Sequence, residues 1–119
     1  MKLLVKAVFK NNLGKLLVYA STDAPRKKRL ASVKTATQET AKLLKLDFEV
    51  VRFSNSCSQI YVYYECVDGG EPIPLYCDEG KAGDLQEICA TLRKMVFVLS
   101  FHPKHSALKQ VRGAIMRAS

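Results

Sequence analysis

The sequence predicts an α+β domain, a five-stranded antiparallel sheet packed by two main helices with a short helix after them. Three observations predict it. Two alternating apolar segments meet at Asn11-Asn12-Leu13-Gly14. One helical stretch follows, over residues 30–46. Three strand-like segments then precede a strongly amphipathic helix over residues 84–99. The expected order is strand–strand–helix–strand–strand–strand–helix–helix.

Leu3, Val5, Ala7 and Phe9 alternate with Lys2, Lys6 and Lys10, the period of a strand with one wet face, and Leu4 and Val8 add partial cover to that face. Asn and Gly accept positive φ at the turn, and residues 15–20 return as the second strand. Residues 21–29 read as a loop. Asp23 can cap a helix and Pro25 is tolerated in a first turn. The run Arg26-Lys27-Lys28-Arg29 would oppose the macrodipole there, so an exposed loop or frayed first turn is expected, with the firm helix starting between Leu30 and Ser32. Leu30, Val33, Thr37, Ala41 and Leu44 fall on one face of it, and it ends near Leu46.

Phe48, Val50, Val51 and Phe53 suggest a strand, ended by Ser54-Asn55-Ser56. Residues 60–67 form the clearest strand, with Tyr61, Tyr63 and Tyr64 among β-branched residues. Asp68-Gly69-Gly70 turns the chain into a last strand over residues 73–77. Pro72 and Pro74 remove ladder donors, so that strand begins unpaired or at an edge. Asp84 and Glu87 form a capping box, and Leu85, Ile88, Cys89, Leu92, Met95, Val96 and Leu99 make the best apolar stripe, expected to lie on the sheet. Phe101-His102-Pro103 breaks that helix. Ser106 is the expected cap of a short basic helix within residues 104–117, with Leu108, Val111 and Ile115 inward and Lys109, Arg112 and Arg117 exposed.

At 119 residues the chain reads as one domain with its core over about residues 3–99, and no repeat or linker divides it. Apolar residues make up 48% and charged residues 25%, which argues against disorder. No apolar run approaches the roughly 18 residues of a membrane span. Lys6 and Lys10 interrupt any signal-peptide core, so the expected compartment is the cytosol or nucleus. Cys57, Cys66, Cys77 and Cys89 include no C-x-x-C pair and read as small buried hydrophobes, with Cys66 and Cys77 facing each other across the glycine hairpin.

The net charge of +8 is unevenly spread. Residues 1–38 carry a net of +8, residues 39–87 a net of −6, and residues 88–119 six basic residues and no acid. Such polarity suits an acidic partner, nucleic acid or the mutual orientation of two copies. Pro25-Arg26-Lys27-Lys28-Arg29-Leu30 looks like a short nuclear localisation signal, and the same cations would hold phosphates. The candidate contacts for an acidic partner or phosphate are Arg26, Lys27, Lys28, Arg29, Lys104, Lys109, Arg112 and Arg117. Tyr61, Tyr63 and Tyr64 invite base stacking, but no RNP-like octamer surrounds them, and packing under a helix or a protein contact is the favoured reading. His102 and His105 have H-x-x-H spacing, yet cationic Lys104 lies between them and no carboxylate or cysteine is near in sequence, so no metal site is expected. No G-x-S-x-G and no phosphate-binding glycine loop occurs. Neither a catalytic residue nor a cofactor is expected.

The element order, together with the first hairpin Val8-Phe9-Lys10-Asn11-Asn12-Leu13-Gly14-Lys15-Leu16-Leu17-Val18-Tyr19, resembles the roadblock/longin group of profilin-like domains. The resemblance covers most of residues 3–99. It implies a non-enzymatic scaffold that dimerises and supports small GTPases, trafficking or motor complexes. Dimerisation would then use the helix over residues 30–46 and the strand over 48–53, with Val33, Thr37, Val51 and Phe53 at the dimer edge. The resemblance also implies a central last strand, against which Pro72 and Pro74 stand. The family's helix before the first strand is missing here, which leans toward the longin side, and the basic helix after Pro103 lies outside the minimal fold. The leading expectation is a scaffold or adaptor acting through a protein partner or homodimer. The alternative is a small basic RNA- or DNA-binding protein using residues 26–29 and the C-terminal helix.

Overall fold

The computed structural model describes residues 13–21, 27–53, 59–66, 71–78 and 84–118. Its elements are β1 (Lys15–Ser21), α1 (Lys27–Leu44), β2 (Asp47–Phe53), β3 (Ile60–Glu65), β4 (Ile73–Asp78), α2 (Leu85–Leu99), a 3₁₀ stretch (Pro103–Val111) and α3 (Arg112–Ala118). The expected strand before β1 lies outside the described residues, as do Arg26, Cys57 and the Asp68-Gly69-Gly70 turn.

The α+β class holds, but the sheet is mixed. Among the described residues it has four strands in the order β2-β1-β3-β4. β1 pairs antiparallel with β3, and β3 with β4, whereas β1 and β2 run parallel. The connection explains the departure from an antiparallel sheet. α1 has 18 residues and rises about 27 Å. β1 has seven and advances about 23 Å. The helix therefore carries the chain back to the start of β1, and the next strand must run the same way. β4 is an outer strand among those described, not the central one that the family resemblance implies. Its register shifts between Val62 and Tyr63, opposite Pro74, where a proline is tolerated.

One face of the sheet builds the core. Leu16, Val18 and Ala20 of β1 and Ile60, Val62 and Tyr64 of β3 are buried with Val33, Ala36, Ala41 and Leu44 of α1 and Ile88, Leu92 and Val96 of α2. The expected stripes on both helices are thus the buried ones. Thr37 sits in the α1 stripe because its hydroxyl donates to the Val33 carbonyl at 2.7 Å. Asp84 caps α2, accepting from the Glu87 N–H at 2.9 Å.

Gly14 fixes the entry to β1. Its φ is +115°, and a Cβ there would lie 2.6 Å from the Glu65 carbonyl oxygen and 2.8 Å from the Tyr64 ring. The Tyr64 hydroxyl donates to the Leu13 carbonyl at 2.6 Å.

α1 begins at Lys27, ahead of the expected start between Leu30 and Ser32. Asp78 supplies the reason, since it gives the cation in the first turn a buried carboxylate. The C-terminal segment also departs from expectation. The helical path after α2 starts at Pro103, with the His102 Nδ1 accepting from the Lys104 N–H at 3.1 Å, and it kinks at His105, where φ is −120° and ψ 36°, one residue before the expected cap Ser106. Leu108, Val111 and Ile115 are buried as expected, and they join the same core.

A candidate interaction surface

The strand register sorts side chains onto two faces. Opposite the helices lie Lys15, Leu17, Tyr19 and Ser21 of β1, Asp47, Glu49, Val51 and Phe53 of β2, and Tyr61, Tyr63 and Glu65 of β3. Tyr19, Val51, Phe53, Tyr61 and Tyr63, with Pro72, line an open groove of about 460 Å³ whose residues are all half-buried. Tyr19 meets Tyr63 edge-to-face at a centroid distance of 5.1 Å, and Tyr61 tilts against Tyr63 at 6.2 Å. Tyr61 and Tyr63 therefore do not pack under α1 or α2. Tyr64 does point to the helix side, because it is one residue out of phase.

The electrostatics of this face are acidic. Burial first, then Glu65, Tyr63 and Glu49, push the Tyr19 phenol above its ordinary value. Lys15 Nζ pairs with Glu49 Oε1 at 2.7 Å while its stem is buried. β2 forms the rim of the groove and is an outer strand of the described sheet.

The expected dimer residues divide. Val51 and Phe53 lie on this half-exposed face, whereas Val33 and Thr37 are wholly buried between α1 and the sheet and offer nothing to a partner. The spacing that put them on one helical face was right, and that face is the core.

The expected basic contacts divide too. Lys28, Lys104, Lys109 and Arg117 are exposed. Arg29 forms an ion pair with Asp78, whose side chain is 2% exposed, with Nε 3.2 Å from Oδ2 and a second bond from the terminal nitrogen to Oδ1. Tyr76 donates to the same Oδ1 at 2.8 Å. Its phenol is pushed up to about 12, first by burial and then by the Asp78 carboxylate. Hydrogen bonding to Asp78 raises Arg29 in turn. Arg112 donates to the Ser100 hydroxyl at 2.9 Å and the Ser100 carbonyl at 2.8 Å, with its guanidinium 3.8 Å from the Phe101 ring centroid. It fastens α3 to the end of α2. The two basic segments also sit at different ends of the sheet. Arg29 is at the Ile60–Asp78 end. Lys104 adjoins His105, whose ring meets Tyr64 four residues along β3, about 13 Å away.

His102 and His105 have ring centroids 5.3 Å apart, and burial, then His102 and Lys104, lower the His105 imidazole. Among the described residues no three His, Cys, Asp or Glu side chains converge as metal ligands would. Cys66 and Cys77 do not face each other. Cys77 pairs with Tyr61, five residues and about 17 Å along β3 from Cys66, and it is exposed rather than buried. Burial raises the Cys89 thiol, which lies 3.7 Å from the Ala36 carbonyl oxygen.

A second apolar groove, of about 570 Å³, lies between α2 and α3 among Ala90, Arg93, Lys94, Phe97, Ile115 and Met116. Met116 is 67% exposed beside it. Among the described residues no helix is long and apolar enough to cross a membrane.

Comparison of the chain with models of known protein families, with curated proteins and with solved structures finds no match. The sequence pointed to Tyr61, Tyr63, Val51 and Phe53 separately, and what it did not foresee is that the strand order brings them together with Tyr19 and Pro72.

Proposed function

We propose that this chain is a non-enzymatic scaffold domain that acts through protein–protein contact, pairing along β2 with a second copy or another chain in a larger assembly. The observation that carries this reading is the apolar, tyrosine-rich face opposite the helices, continuous with β2, an outer strand of the described sheet. Tyrosines are enriched in recognition surfaces because they offer large, stiff, amphipathic contact area. An added strand would supply main-chain hydrogen bonds and set its alternate side chains beside Val51 and Phe53. Lys28, Lys104, Lys109 and Arg117 remain for an acidic partner. A GTPase-regulatory or trafficking role follows from the roadblock/longin resemblance alone. Among the described strands β4 does not take the central place which that resemblance implies.

The nucleic-acid reading ranks second. Exposed cations at both ends favour it. The engagement of Arg29 and Arg112 and the separation of the two segments count against it.

Sedimentation equilibrium tests the pairing. The chain is expected to self-associate, and Val51→Asp to weaken association at least tenfold with an unchanged far-UV circular dichroism spectrum. A variant that associates like the parent, or a parent that stays monomeric at roughly 100 μM, where weak pairing would already be visible, overturns self-pairing along β2.

A further inference from the structure

We propose that the tyrosine face is a docking site for a basic segment of a protein partner, with an arginine or lysine side chain held over the rings of Tyr19, Tyr61 and Tyr63. This deepens the interaction reading by naming the partner's chemistry, and it does not require the chain to pair with itself.

Ring geometry is the first argument. Tyr19 and Tyr63 are inclined at 66°, and Tyr61 and Tyr63 at 49°. All three rings line the groove. A cation within about 6 Å of a ring centroid is attracted by the ring quadrupole. The chain already uses this chemistry internally, where Arg112 lies over Phe101.

Charge is the second. By register, and among the described residues, Asp47, Glu49 and Glu65 share the face with the tyrosines, against one cation, Lys15, which Glu49 holds. The excess of carboxylates draws a cation and repels a phosphate, so the face suits a basic peptide and not a stacked nucleic acid. The third argument is the lining. Val51, Phe53 and Pro72 offer apolar contact to the methylene stem of a long cationic side chain while the rings take its head. A second copy of β2 is the wrong occupant for this groove, since the outer face of that strand brings Asp47, Glu49, Val51 and Phe53 and no cation.

The chain has no tryptophan, and three of its five tyrosines line the groove, so tyrosine emission senses its occupancy. The probe is a blocked peptide of alternating Arg and Val, titrated into the full chain beside matched peptides carrying Met or Glu in place of Arg. The Arg peptide is expected to change tyrosine emission saturably, the Met peptide to bind at least about fivefold more weakly, and the Glu peptide not to bind. Tyr63→Leu is expected to remove the preference for Arg over Met, and Tyr63→Phe to keep it. If Tyr63→Leu fails to fold, Tyr61→Leu carries the same comparison. Equal binding of the Arg and Met peptides overturns the proposal. So does an Arg preference that survives loss of the ring, or the absence of any binding. Self-association of the Tyr63→Leu chain, measured in parallel, separates the two readings. Lost peptide preference with intact association bears on docking alone, and the reverse bears on β2 pairing alone.

Discussion

Asp78 is a carboxylate almost without contact with water, and its surroundings decide what Arg29 does. In sequence, Arg29 is the last of four cations in a row and reads as a surface charge. In the fold its guanidinium closes over Asp78 from the first turn of α1, and Tyr76 supplies a further donor. Removing the cation alone would leave a buried anion without the guanidinium that neutralises it. Arg29→Met is expected to destabilise the chain by about 3 kcal/mol, since breaking a buried pair strands a charge. Asp78→Leu in the same background is expected to restore much of that loss, because an apolar pair of similar volume avoids desolvating two ions. Chemical denaturation of the parent, the two single variants and the double variant checks this. A coupling near zero would mean that the pair contributes nothing. No local signal could have shown this pair, whose members are 49 positions apart. The same holds for Arg112, which looked exposed by helical phase and instead bonds to Ser100. Val33 and Thr37 show the opposite case, as their periodicity located the buried face of α1 from sequence alone.

At the level of elements, the two ends of α1 show what local rules reach. Its C-terminus closes with a Schellman motif. Leu46 N–H donates to the Ala41 carbonyl at 2.8 Å and Lys45 N–H to the Lys42 carbonyl at 3.3 Å. The residue in the left-handed conformation is Lys45, at φ +60°, where glycine is the usual choice. A lysine there carries steric strain of about 1 kcal/mol. Lys45→Gly is therefore expected to raise stability by about 0.5–1 kcal/mol with no change in fold, measurable as a higher midpoint in urea at unchanged slope. A lower midpoint would show that the motif depends on the lysine stem. The N-terminus of α1 was placed too late because dipole arithmetic counted four cations and could not count Asp78. The parallel pairing of β1 and β2 was more legible than the expectation allowed. A strand, an 18-residue helix and another strand are the sequence signature of a parallel crossover. The antiparallel expectation gave that local signal too little weight.

Across the whole molecule, the charge asymmetry of the sequence takes on a spatial form. The acidic middle segment contributes most of the tyrosine face, with Asp47, Glu49 and Glu65 by register, and the exposed cations among the described residues are spread over α1, β2, α2, the 3₁₀ stretch and α3. A nucleic-acid binder needs its cations on one continuous surface, so that several phosphates are neutralised at once. Here Arg29 is paired with Asp78, Arg112 lies on Phe101, and Lys104 is at the far end of β3 from Arg29. The expected outcome for a fluorescent generic RNA and a DNA duplex titrated with the chain is only weak binding, no tighter than about 10 μM near 0.15 M salt. The logarithm of that affinity is also expected to fall only shallowly with the logarithm of salt. On duplex DNA the slope is about −0.9 per phosphate contacted, so one or two exposed lysines acting separately would give a value near −1 to −2. A slope of −4 or steeper would require four or more cations to engage together. Such a result would need the expected contacts Lys28, Lys104, Lys109 and Arg117 bridged on one bound strand, or other exposed cations such as Lys34 and Lys94 drawn in beside them, and it would put the nucleic-acid reading first.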